Sequence, residues 1–140
     1  MIIIIGSDHA GFKLKEVLKT YLKNLEFVVV DKGTNSEESV NYPDYAHSVA
    51  EAVSKNAEAL GILICGSANG VCMTANKHKE IRAALAWQPE VAALARQHNN
   101  ANILCLPARF IDDNMAKTIL AAYLDATFEE GRHQQRVDLI

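Results

Sequence analysis

At 140 residues, with 17 acidic against 14 basic side chains and a formal net charge of −3, the chain is expected to form one domain over 1–140 with a real core. Its charges are mixed and its lysines form no basic block, which argues against nucleic acid or an anionic membrane as main partner. No stretch reaches the ~20 apolar residues that cross a bilayer, and MIIIIGSDHAG lacks the length and positive lead of a secretory signal, so a soluble cytoplasmic protein is expected.

IIII (2–5), a β-branched run followed by polar SDH, predicts a fully buried strand. Leu14, Val17, Leu18, Tyr21 and Leu22 then recur at helical spacing and predict a helix with one apolar face. FVVVD (27–31) is the second strand. Asn41-Tyr42-Pro43-Asp44 opens a helix whose inner stripe is Ala46, Val49, Ala50 and Val53. GILIC (61–65) is the third strand, and a short helix of small residues starts at Asn69. RAALA (82–86) forms the fourth, and the helix after it carries Val91, Leu94 and Ala95 as its apolar residues. NILCL (102–106) is the fifth strand, followed by a helix over 113–124 and a polar tail containing GRHQQR.

Strands that alternate with helices require right-handed crossovers and a parallel sheet covered on both faces. The expected class is therefore α/β, a three-layer α/β/α domain. Ligands of such sheets collect outside the carboxyl ends of the strands. That edge gathers Ser7, Asp8 and His9 after the first strand, Asp31 to Thr34 after the second, Cys65 to Gly70 after the third and Arg109 after the fifth. Asp31 and Lys32 read as solvated loop residues.

Three cysteines (Cys65, Cys72 and Cys105) without a C-x-x-C pair indicate neither a disulfide framework nor a zinc knuckle. The five histidines are scattered without ligand spacing, so no metal site is expected. Cys65 by itself reads as a small core filler. Its neighbours offer a second reading. Gly66, Ser67, Ala68, Asn69 and Gly70 let main-chain N–H groups converge where a helix begins, a nest for an anion or oxyanion. The same positive helix end is expected to lower the thiol from its ordinary pKa of ~8.5 toward neutrality, making a nucleophile or a general base.

Nucleotide signatures fail: GSDHAGFK lacks the Lys-Ser/Thr ending of a P-loop, and no G-x-G-x-x-G follows the first strand. His98, in RQHNN (96–100), closes a helix and so lies at the amino edge of the sheet. A strand spans ~17–20 Å, too far for His98 to meet Cys65 within one subunit. It is either a helix-end histidine favoured by the dipole or a residue lent to a second chain. Arg132 and Arg136 stand four apart beside His133; on a helix they share a face and can clamp a phosphate, or they belong to a solvated end.

The joined motifs GSDHAG, DKGT, NYPDYA, ILICGSANG with TANK after it, RQHNNAN and EGRHQQR resemble the ribose-5-phosphate isomerase B family, from Ile3 to Val137. Galactose-6-phosphate and allose-6-phosphate isomerases are related to the same group. The resemblance implies a five-stranded parallel sheet in order 2-1-3-5-4, no metal or organic cofactor, a phosphorylated sugar substrate, and homodimers, some paired into tetramers, with active sites shared between subunits. It implies interconversion of ribose 5-phosphate and ribulose 5-phosphate. Cys65 is then the base that moves a proton between C2 and C1, and Ser67 with the amides of 66–70 (Gly66, Ala68, Asn69 and Gly70 included) holds the enediolate oxygen. Asp8 and His98 serve ring opening and proton handling. His9, Arg132 and Arg136 bind phosphate, Asn99 and Tyr42 line the sugar site, and Arg109 is a weaker phosphate candidate.

Three positions depart from the family pattern. Ala68 replaces a frequent glycine, which is harmless if the residue is right-handed helical. Pro107 replaces a common glycine before Ala108-Arg109. Val71 stands where relatives without the cysteine carry a glutamate. The competing functions are a hexose 6-phosphate isomerase, a silent sugar-phosphate binder and a thiol hydrolase; only the last requires a covalent adduct on Cys65.

Overall fold

The computed structural model describes residues 1–140. Five strands, β1 (Ile2–Ser7), β2 (Val28–Asp31), β3 (Leu60–Cys65), β4 (Ala83–Leu85) and β5 (Ile103–Pro107), alternate with helices α1 (Phe12–Asn24), α2 (Tyr42–Ser54), α3 (Asn69–Ala75), α4 (Pro89–Asn99) and α5 (Asp113–Asp125). The polar tail folds into a short α6 (Arg132–Val137). All strand pairs are parallel, in the order β2-β1-β3-β5-β4. No helix is long and apolar enough to cross a membrane.

The strand sequences explain that order. β3 and β5 are buried at every residue and β1 at all but its first, as uninterrupted apolar runs demand. VVVD of β2 and AAL of β4 are shorter, half-exposed and at the edges. Alternate residues serve opposite faces. Ile3, Ile5, Ile62, Ile64, Leu104 and Leu106 pack on one side under Leu14 and Leu18 of α1, Ala92 of α4, and Ile119 and Tyr123 of α5. Ile4, Leu63, Cys65, Ile103 and Cys105 face the other side, under Ala46, Val49 and Val53 of α2 and Val71 and Ala75 of α3. The chain leaves β1 toward β2 on one flank and β3 toward β4 on the other. The crevice between the carboxyl ends of β1 and β3 is therefore the topological switch point where a ligand is favoured.

Of the apolar residues on α4, Ala92 and Ala95 turn to the core, and Leu94 stays 37% exposed. One sequence reading changes here. Asp31 is not a solvated loop residue. The completely buried Lys15 ammonium donates to its Oδ2, Lys19 donates to the same oxygen at 2.7 Å, and the Gly33 N–H donates to Oδ1 at 2.9 Å. This network fixes the turn after β2 beside the end of β1.

Burial by itself would raise the Asp31 carboxyl, but the hydrogen bonds from Lys15 and Lys19 outweigh it and hold it below its ordinary value. Removing the carboxylate strands a buried ammonium. Asp31→Asn should therefore cost about 3–5 kcal/mol near neutral pH, while Lys15→Met, which removes the buried charge itself, should cost far less. Because the folded carboxyl titrates below the unfolded one, its contribution is present above the unfolded value and lost as pH falls through the folded one. Urea unfolding of both variants from neutrality into acid checks this, with the gap between wild type and Asp31→Asn closing at low pH.

Candidate active site

A cavity of about 400 Å³ opens at the β1–β3 crevice. Asp8, His9 and Ala10 line it from the turn after β1, Tyr42 from the start of α2, Cys65 to Ser67 and Gly70 from the turn between β3 and α3, and Arg109 from beyond β5. The larger hollows, about 460 and 580 Å³, lie around the amino ends of the strands and beside β4, and neither is lined by a thiol.

Each wall of the cavity is fixed by its backbone. Asp8 is buried, and its Oδ1 accepts the Gly11 N–H at 3.1 Å, so the carboxylate tightens the turn into α1. The Nδ1 of His9 accepts the Val40 N–H at 3.2 Å. That nitrogen therefore carries no proton, and Nε2–H is left as the donor. Ala108 and Arg109 donate their N–H groups to the carbonyls of Cys65 and Gly66, at 2.9 and 3.0 Å. A Cβ at Gly66 would stand 3.1 Å from the Arg109 guanidinium, and one at Gly70 only 2.5 Å from the Tyr42 ring. Glycine at these two positions lets both side chains lie flat on the turn.

The turn itself is strained. Ala68 has φ 65° and ψ −5°, a left-handed conformation, not the right-handed one in which alanine is harmless. A Cβ in that region costs about 1–2 kcal/mol, which is why a glycine there is easier. The left-handed residue helps turn main-chain N–H groups toward one point: those of Val71, Ala68 and Ser67 act on the Cys65 sulfur. Ser67 Oγ is exposed and accepts from Asn69 Nδ2 at 3.2 Å.

The expected lowering of the Cys65 thiol does not hold. Burial pushes it up, the Asp8 charge adds to that rise, and the converging N–H groups offset the two only partly. The helix-end argument weighed the amides without the desolvation of a sulfur in a residue only 5% exposed. Cys72 moves the other way. Its sulfur, hydrogen-bonded with Cys105, is held below the ordinary thiol value, whereas fully buried Cys105 is pushed far up.

His98, Asn99, Arg132 and Arg136 do not line this cavity. His98 ends α4 and stacks on His133 with ring centroids 4.1 Å apart. Asn99 borders the hollow beside β4, and the two arginines stand exposed on α6. Glu129 stands at the edge of the stacked imidazoles, its Oε2 at 3.7 Å from His98 Nε2 and 3.4 Å from His133 Nε2. These three side chains bring ligand-type atoms within 4.8 Å of one another. The charges of Arg132 and Arg136 beside them disfavour a cation and suit an anion. Glu129 was missed in the sequence, and helical spacing could not have found it, because it precedes α6 and is separated from it by the positive-φ Glu130 and Gly131.

The profile of the Ribose/Galactose Isomerase family matches residues 3–140. The chain belongs to this family. Ribose-5-phosphate isomerase B of Escherichia coli is 45% identical over 138 residues, covering 99% of this chain and 93% of that one. The solved ribose 5-phosphate isomerase of Thermotoga maritima superposes with a TM-score of 0.96 at 48% identity, covering 99% and 95% of the two chains. The family member from Mycoplasma genitalium, solved with bound ribulose-5-phosphate, gives 0.95 at 50% identity over 99% and 92%.

The thiol order is open to a direct check. Alkylation by iodoacetamide near neutrality should label Cys72 before Cys65. Asp8→Asn should shift the pH dependence of Cys65 labelling downward by removing the adjacent negative charge. Peptide mass spectrometry across a pH series reads both.

Proposed function

We propose that the chain interconverts ribose 5-phosphate and ribulose 5-phosphate by moving a proton between C2 and C1 of the open-chain sugar. The observation that carries this reading is a buried thiol meeting converging main-chain N–H groups in one cavity, within a family that has a member holding ribulose-5-phosphate. An aldose–ketose isomerisation needs a base over the C–H bond and donors aimed at the oxygen where charge develops. Cys65 supplies the first, and Ser67 with the amides of the 66–70 turn supplies the second.

A thiol pushed upward is scarce as thiolate but strong as a base once formed, which suits a weakly acidic C–H bond. Asp8, inside the cavity, accepts from the sugar hydroxyl as the ring opens. Tyr42 walls the sugar chain. His9 offers its Nε2–H to the phosphate, and Arg109 stands at the same mouth.

The remaining groups gather on the tail side of the molecule. His98, Asn99, Arg132 and Arg136 complete the site if a second copy delivers them across a two-fold axis, His98 for proton transfer at the sugar oxygens and the arginines for phosphate. The working unit is then a homodimer with two composite sites.

Cys65→Ala should lower kcat by about 10²–10⁴-fold with KM little changed, because the base acts in the transition state. Arg136→Ala should raise KM instead. Mixing inactive Cys65→Ala and His98→Ala chains should restore about a quarter of wild-type activity: half the dimers are hybrids, each with one whole site of two. Confirmed subunit exchange without recovery would defeat the composite site.

A further inference from the structure

We propose that Glu129 is a positioning residue for the isomerisation: its carboxylate bridges the stacked imidazoles of His98 and His133 and holds His98 in the geometry that hands a proton to the sugar. The inference rests on the reading that His98 handles protons at the sugar oxygens.

Three observations carry it. The His98 and His133 rings are 4.1 Å apart and only 10° from parallel, so both cannot bear a charge comfortably. One carboxylate oxygen faces the Nε2 of each ring, at 3.7 and 3.4 Å. The main chain that carries this carboxylate is anchored, since the Glu129 N–H donates to the Gln97 carbonyl at 3.0 Å, in the last turn of α4. The left-handed Glu130 and Gly131 that follow (φ 57° and 54°) turn the chain so that α6 lays buried His133 back on His98.

The charges around the two rings are mostly positive. Facing it from α6 are Arg132 and Arg136, and beside the start of β4 Arg82 donates to the Asn99 carbonyl at 2.6 Å. Burial, then the charges of His98 and Arg132, push the His133 imidazole down, and of the groups acting on it Glu129 is the sole one that opposes. Positive charge on His133 is therefore disfavoured, and Glu129 is the one carboxylate that faces both rings. His133 serves as a flat, neutral backing that fixes the ring plane.

The test uses the full-length enzyme with ribose 5-phosphate. Glu129→Gln should lower kcat about tenfold or more with KM nearly unchanged, and move the alkaline limb of the kcat–pH profile to lower pH. Glu129→Asp should recover most of the rate. In a His98→Ala background, Glu129→Gln should change nothing further, whereas a general structural defect would lower the residual rate again. Unchanged kcat and pH profile in Glu129→Gln overturn the assignment, as does a rise in KM alone, which would place Glu129 with the phosphate arginines. If His98→Ala is slow while Glu129→Gln is fast, only the Glu129 role falls. If His98→Ala keeps the full rate, the proton-handling role of His98 falls first and takes Glu129 with it.

Discussion

Turning the chain left-handed at Ala68 is unfavourable for any residue with a Cβ, and the rest of the site depends on that turn being made. It lets the N–H groups of Ser67, Ala68 and Val71 look back at the Cys65 sulfur as α3 begins. The Ala68 methyl is fully buried against the α2–α3 side of the core, so packing offsets part of the strain. The wall of the cavity follows from the same turn, because the Tyr42 ring rests on Gly70 one step into α3. Strain in the loop, solvent exclusion at the sulfur and the shape of the cavity are thus one local arrangement.

The sheet gives that arrangement its place. β1 and β3 are adjacent because the chain winds outward from them in opposite directions, and their carboxyl ends leave a crevice between α1 and α3. Asp8 and His9 enter from one lip and Cys65 from the other. Behind β1, the Lys15–Asp31 pair pins the adjoining turn, so that the lip is held by a buried ion pair as well as by the sheet. The cationic groups of α6 and the stacked imidazoles stand apart from the thiol, and one chain alone does not bring the two sets together.

Most of the fold was legible in the sequence because the three inner strands are unbroken apolar runs and the helices carry plain stripes. Which apolar residues of α4 face the core was not legible, since periodicity cannot tell a core face from an outer flank when alanines do the packing. Asp31 looked solvated because its partner Lys15 lies 16 positions earlier, on a helix whose buried lysine reads as polar. The gathering of Cys65, Asp8 and His9 at one sheet edge followed from strand order, whereas Tyr42 was placed there only by the family resemblance. The state of the thiol did not: its sign depends on desolvation and on Asp8, neither visible in a local motif. The backbone of Ala68 was not legible in the residue itself, since any side chain with a Cβ disfavours the left-handed region. Glu129 escaped notice because the imidazole it shares with His133 comes from a helix 31 positions upstream.

The contact between Tyr42 and Gly70 bears on how the pocket can be remodelled. A side chain at 70 would drive into the aromatic ring, so that position offers nothing to a library of variants. Tyr42 stands 40% exposed and can be trimmed with little loss of core packing. Laboratory evolution toward bulkier sugars would find its freedom first in the tyrosine panel, and position 70 would lose its ring clash only once that ring is trimmed.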